Sequence, residues 1–130
     1  MKLQVLQALN TWKKRQFSYG DADCCQFAGF VVEQLTGQDY LESFEYNSED
    51  VANRIISSHG DLKATVSSVL GEPTTDIQDG DPCLVQLPYG QLLGIKLGNS
   101  VVCLAKKGFV QITQENIICG WDKWKQSTHL

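Results

Sequence analysis

Apolar residues recur at three- and four-residue intervals through the first half of the chain and at alternate positions afterwards, with the change near Gly71 and Pro73. Leu3, Leu6, Leu9 and Trp12, with Val5 alongside, predict an amphipathic helix ending near Arg15. After a connector over 16–22, Cys24, Phe27, Ala28, Val31 and Leu35 share one helical face, while Glu33 and Gln34 turn away. Asp23 has the chemistry of an N-cap, Gln26 completes a capping-box pattern, and Gly37 closes the helix. Residues 38–47 read as irregular, acidic and aromatic, with Tyr40, Phe44 and Tyr46 as anchors. Ser48 caps a third helix carrying Val51, Ala52, Ile55 and Ile56, which ends at Gly60. Asp61 opens a fourth through Leu62, Val66 and Val69, stopped by Gly71 and Pro73.

From there the period is two. Residues 83–87 predict a strand, Pro88-Tyr89-Gly90 a turn, and 91–97 a second strand. Gly98-Asn99 turns the chain into a third strand over 100–105, and Lys106-Lys107-Gly108 leads to a fourth over 109–113. The closing stretch with Gly120, Trp121 and Trp124 adds a last strand or packs over the sheet, and 126–130 reads as frayed. Helices first and strands afterwards give an α+β domain, with N-terminal helices packed on a C-terminal antiparallel sheet. A single domain spans 1–130, since 130 residues with 42% hydrophobic content suit one core.

Charge and cysteine usage narrow the function classes. A net charge of −4 gives no basic footprint for nucleic acid. The cluster Lys13-Lys14-Arg15 reads as a solvated helix end, where cations offset the dipole. No apolar run approaches the roughly 18 residues needed to span a bilayer, and the Met1-Lys2 start lacks a secretory apolar region, so a soluble protein made in a cytoplasm is expected. Five cysteines without a CxxC pair argue against a disulfide framework and against a zinc site, and no cofactor is implied. Cys83, Cys103 and Cys119 sit in apolar settings and are expected in the core, while Cys24 and Cys25 diverge by about 100° around the helix.

Cys24 carries the candidate chemistry. A thiol in the first turn of a helix faces unpaired amides, which favour thiolate and raise reactivity, although the neighbouring Asp23 acts the other way. Against this stands the plain role of a small buried hydrophobe at a helix start. His59, just before Gly60, is expected to cap its helix, and His129 lies next to the C-terminus. Asp81, opening a strand after Gly80, is expected to bind turn amides.

These residues resemble a known family. Tyr19-Gly20, the Asp23-Cys24 helix start backed by Phe27 and Val31, the Gly80-Asp81 approach to a strand, and the run Leu93-Gly94-Ile95-Lys96-Leu97-Gly98-Asn99 are similar to the NlpC-type cell-wall peptidases, which have a papain-like fold. The resemblance covers roughly 17–113, and is narrower still to small NlpC-like proteins of phages and prophages associated with tail assembly. It implies Cys24 as the nucleophile. The family's base, a His, falls on Leu92, and the residue that orients it, often a second His, falls on Leu104.

Both departures leave aliphatic side chains where proton transfer is needed. General acid–base steps contribute about 10²- to 10⁴-fold, and leucine supplies neither acid nor base. Two leucines facing the sulfur would also desolvate it, so a neutral, packed thiol is expected. The favoured expectation is a degenerate NlpC-like domain acting structurally in a phage tail, with other tail proteins of the tip or hub as partners, located in the virion or in host cytoplasm during assembly. A working cysteine peptidase or amidase, cleaving peptidoglycan stem peptides from Cys24 with a non-standard base such as His59, is the alternative. A third reading is a peptide- or glycan-binding module with Tyr19, Tyr89 and Trp121 lining the ancestral cleft beside Asp23.

Overall fold

Asp23, Ser48 and Asp61 each close the first turn of a helix with a side-chain oxygen. Asp23 Oδ1 accepts from the Gln26 amide at 2.8 Å, Ser48 Oγ from the Val51 amide at 3.2 Å, and Asp61 Oδ1 from the Ala64 amide at 2.7 Å, satisfying donors that a helix start leaves open. The computed structural model describes residues 2–123. Four helices precede the sheet: α1 (Lys2–Trp12), α2 (Cys24–Thr36), α3 (Glu49–His59) and α4 (Leu62–Leu70). Trp124, 126–130 and His129 lie outside the described residues.

The first helix differs from its expectation in length and in face. It ends at Trp12, so Lys13, Lys14 and Arg15 follow the helix instead of forming its last turn. The Arg15 guanidinium folds back over the Trp12 ring at 4.2 Å and pairs with Asp21 at 2.8 Å. Val5, Ala8 and Trp12 face the core, while Leu3 and Leu6 are 64% and 48% exposed and Leu9 is half-buried. Geometry explains the choice. A strict series of three drifts by about 60° at every step, whereas spacings of three and then four stay within one face.

Five strands follow among the described residues: β1 (Pro82–Leu87), β2 (Gly90–Leu97), β3 (Ser100–Ala105), β4 (Gly108–Thr113) and β5 (Ile117–Gly120). Each pairing is antiparallel, and the order across the sheet is β4-β3-β2-β1-β5. The domain is therefore α+β. A single 3₁₀ turn, Gln114–Asn116, joins β4 to β5, the two edges of the sheet. Four strand spacings would separate flat edges by about 19 Å, yet three linking residues reach at most about 14 Å. The sheet therefore curls, with β4 and β5 drawn toward each other.

Curling divides the apolar residues into two clusters. On the outer face Phe27, Val31, Val32 and Leu35 of α2 pack with Leu84, Leu93, Ile95 and Leu104, and with Val5 and Trp12 of α1. Each large side chain removed from water there contributes about 2 kcal/mol. The inner face holds Cys83, Val85, Val101 and Cys103, flanked by Ile77, Leu92 and Val110. Gly94 lies opposite Cys83, and a Cβ at Gly94 would stand 2.5 Å from Cys103 Sγ and 2.6 Å from the Val102 carbonyl oxygen. Only glycine lets β3 pass this close.

Asp81 and Trp121 lock the sheet to its surroundings. Asp81 is fully buried, and its Oδ2 accepts from the Gln78 amide in the turn before it, as expected. Its Oδ1 also accepts from the Lys123 amide, 42 residues away. Trp121 is buried, and its Nε1 donates to the Gly71 carbonyl at 3.1 Å, so the residue after β5 is fastened to the end of α4. Among the described residues no helix is long and apolar enough to cross a membrane.

Candidate functional site

Cys24 is the first residue of α2, held there by the Asp23 cap, and its side chain is half-buried. Pairing between β2 and β3 runs only from Ile95 to Leu97 on β2. The Leu93 amide therefore has no ladder partner on β3, and it donates instead to the Cys24 sulfur. The Cys25 thiol also hydrogen-bonds to Cys24, and the Cys25 backbone amide adds a further donor. The Cys25 thiol, its own amide and the Leu93 amide together pull the Cys24 thiol below its usual range, against burial and the Asp23 charge. Cys25 is pushed well up by donating to Cys24 and by burial.

One sequence expectation changes at this point. Cys24 is not a thiol raised by aliphatic neighbours, because the Cys25 thiol and the amides near its sulfur outweigh desolvation.

Asp23 does more than cap. Its Oδ2 accepts from the Gly20 amide at 2.9 Å and from the Tyr46 hydroxyl at 2.8 Å. The Gln26 side chain does not return to the cap residue's amide, as a full capping box requires; its Nε2 reaches the Tyr46 hydroxyl at 3.4 Å. Burial, with Cys25 and Asp23 nearby, pushes the Tyr46 phenol far up, so it remains a donor. Tyr46 thus ties the irregular segment to the helix that begins at Cys24.

A cavity of about 800 Å³ opens beside these residues. Tyr19, Asp23, Cys24, Cys25, Leu92 and Tyr89 border it, but Leu104 and Trp121 do not. Leu104 is buried against α2 in the outer cluster, and Trp121 is core between α4 and the sheet. Leu92 packs against the inner cluster, although it reaches the cavity wall. Leu92 and Leu104, the two positions singled out in the sequence, thus lie on opposite faces of the sheet.

At the mouth, Lys106 of the β3–β4 turn lies 3.4 Å from Glu49 and 5.9 Å from the centre of the Tyr19 ring. Burial and the Glu49 carboxylate push the Tyr19 phenol up, and the same carboxylate raises Lys106. His59 is elsewhere. Its Nδ1 lies 2.9 Å from the Ile55 carbonyl and its ring stands edge-on to Phe44, which is the expected role at the end of α3. No histidine borders the cavity among the described residues.

Sequence reasoning missed the Leu93 amide, Tyr46 and the Lys106–Glu49 pair as parts of this site. The first is a backbone group freed by incomplete strand pairing, and the others are contacts across 23 and 57 residues. No local pattern announces them. Among curated proteins none matches the chain. A family model matches residues 2–122, nearly the whole described structure, and the chain belongs to the DUF6950 family, a domain of unknown function.

Proposed function

We propose that the chain is a degenerate NlpC-like domain with a papain-like fold, serving a phage tail as a structural or assembly component and not as a peptidase. Support for the fold comes from the Asp23-Cys24 helix start laid against a curled antiparallel sheet, in the order the resemblance implies. The observation that carries this reading is the cavity wall around Cys24, in which no histidine stands among the described residues. Amide cleavage needs a group to protonate the departing amine, and a thiolate alone cannot provide it. The tail assignment rests on the resemblance to phage and prophage tail-associated proteins, and the partners would be other proteins of the tail tip or hub.

The test has two arms. Purified protein incubated with peptidoglycan should release no stem-peptide fragments, and antibodies should find the chain in purified tails or in assembly intermediates. Fragment release that disappears in Cys24→Ala would overturn the proposal.

A second reading is favoured by one observation, the lowered Cys24 thiol with its backbone donor. A cysteine peptidase acting on peptidoglycan would need exactly such a thiolate, with its acid brought by a partner chain. Adding tail proteins to the cleavage assay separates the two, because only this reading expects activity to appear.

A further inference from the structure

The cavity at Cys24 continues well beyond the thiol. It runs along α2 past Ala28, Gly29 and Val32 and under α3, whose Ala52, Ile55 and Ile56 line it. α3 has an apolar face but no buried residue, so this face looks into the groove instead of into a core. Gly29 of α2 makes room for the Leu41 side chain on the groove wall, since a Cβ there would stand 2.4 Å from Leu41 Cδ1. An unbranched apolar chain suits such a space. At the thiol end the walls become polar, with Lys106 and Lys107 on the rim. Glu49 engages Lys106, while Lys107 is in no salt bridge among the described residues.

The chemistry available at Cys24 selects a substrate. Among the described residues no histidine borders the cavity to protonate a departing amine, so amides are poor partners. A thioester differs, because its leaving group is a thiolate of pKa about 8.5 that departs without a proton. We infer that Cys24 is an acylation site, which accepts a long-chain acyl group from an acyl thioester carrier and stores the chain in the groove between α2 and α3.

The step balances simply. The Cys24 thiol gives its proton to water and its sulfur attacks the acyl carbon, forming a new C–S bond; the carrier's C–S bond breaks, and the carrier leaves as a thiolate that takes a proton back from water. Nothing is oxidised or reduced. The phosphate groups of a pantetheine-type carrier fit the lysines at the rim. The lack of a histidine beside Cys24 among the described residues also determines the fate of the product, since no imidazole activates water and the acyl-Cys24 thioester persists. Cys25, held as a protonated thiol beside Cys24, is the poorer acceptor.

The inference rests on the first reading above only for the histidine-free cavity wall and needs no role in a phage tail, so failure of the tail assignment leaves it standing. The experiment incubates the full chain with palmitoyl-coenzyme A or acetyl-coenzyme A near neutral pH and follows intact mass, with hydroxylamine to reverse thioesters. One palmitoyl group per chain is expected, gained at least about tenfold faster than acetyl because burial of the long chain in the groove aids transfer. The label should be absent in Cys24→Ala and slowed by roughly tenfold in Ile56→Glu, which sets a charge in the groove, with circular dichroism confirming the fold of both variants. Equal rates for the two donors, labelling that survives in Cys24→Ala, or catalytic release of free palmitate would each overturn it.

Discussion

The Tyr46 hydroxyl donates to Asp23 Oδ2 at 2.8 Å across 23 residues, so the segment between α2 and α3 is bonded to the residue that caps the Cys24 helix. The carboxylate then has three donors: Tyr46, the Gly20 amide and the Gln26 amide. A hydrogen bond to a charged group is worth about 1.5–3 kcal/mol. Tyr46→Phe keeps the ring and removes only this donor. Urea unfolding should show a loss of about 1.5 kcal/mol, with hydrogen exchange at Gln26 accelerated; an unchanged midpoint would show that water replaces the hydroxyl at no loss.

Gly94 supports a second prediction. Its hypothetical Cβ meets Cys103 Sγ at 2.5 Å, Val101 Cγ1 at 2.6 Å and the Val102 carbonyl oxygen at 2.6 Å. Side chains can shift, but the carbonyl belongs to the β3 backbone. Gly94→Ala should therefore destabilise the fold by about 1–3 kcal/mol or more, measured by thermal unfolding. Adding Cys103→Ala should recover only part of the loss, because the backbone contact remains.

Alkaline pH supplies a third. Burial pushes the Cys83 thiol up to about 12 and raises Cys103 further. An unfolded chain ionises these thiols near their ordinary value while the folded chain keeps them protonated, so the unfolded state binds fewer protons. Stability is full below about pH 8.5 and falls as pH rises through the folded values, with a slope of about 1.4 kcal/mol per pH unit for each thiol. Denaturant titrations between about pH 9 and 11 should show this decline, and Cys83→Ala should reduce the slope by one thiol's share. A slope indifferent to Cys83→Ala would assign the decline to other groups.

The readable parts of this molecule were those fixed by neighbours in sequence. The caps at Asp23, Ser48 and Asp61 and the stops at Gly37, Gly60 and Gly71 depend on a few adjacent backbone groups, and all six stand where the pattern sets them. The strands follow from alternation and from turn glycines in the same way. The buried face of α1 was misread because Leu3, Leu6 and Leu9 offered an apolar series that drifts around the helix, while Val5, Ala8 and Trp12 hold one side. The site was partly legible: Cys24, Asp23 and Tyr19 border the cavity, but Trp121 does not. Its electrostatics were not legible, because they depend on a Leu93 amide freed by incomplete pairing and on the Cys25 thiol next to Cys24.

Cys25 provides the last prediction. Its thiol is the foremost cause of the lowered Cys24 value, ahead of the Leu93 amide, while burial and Asp23 oppose both. Cys25→Ala removes the S–H donor and leaves the amides in place, so the Cys24 value should rise. Alkylation of Cys24 by iodoacetamide near neutral pH should slow by roughly tenfold, the worth of one hydrogen bond to a charged group. Cys25→Ser retains a hydroxyl donor at the same place and should keep most of the rate. The full pH–rate profile separates ionisation from access: loss of the donor moves the midpoint to higher pH and leaves the plateau intact, whereas a blocked thiol lowers the plateau without moving the midpoint. A wild-type midpoint at or above that of a free cysteine would remove the basis for treating Cys24 as the reactive member of the pair.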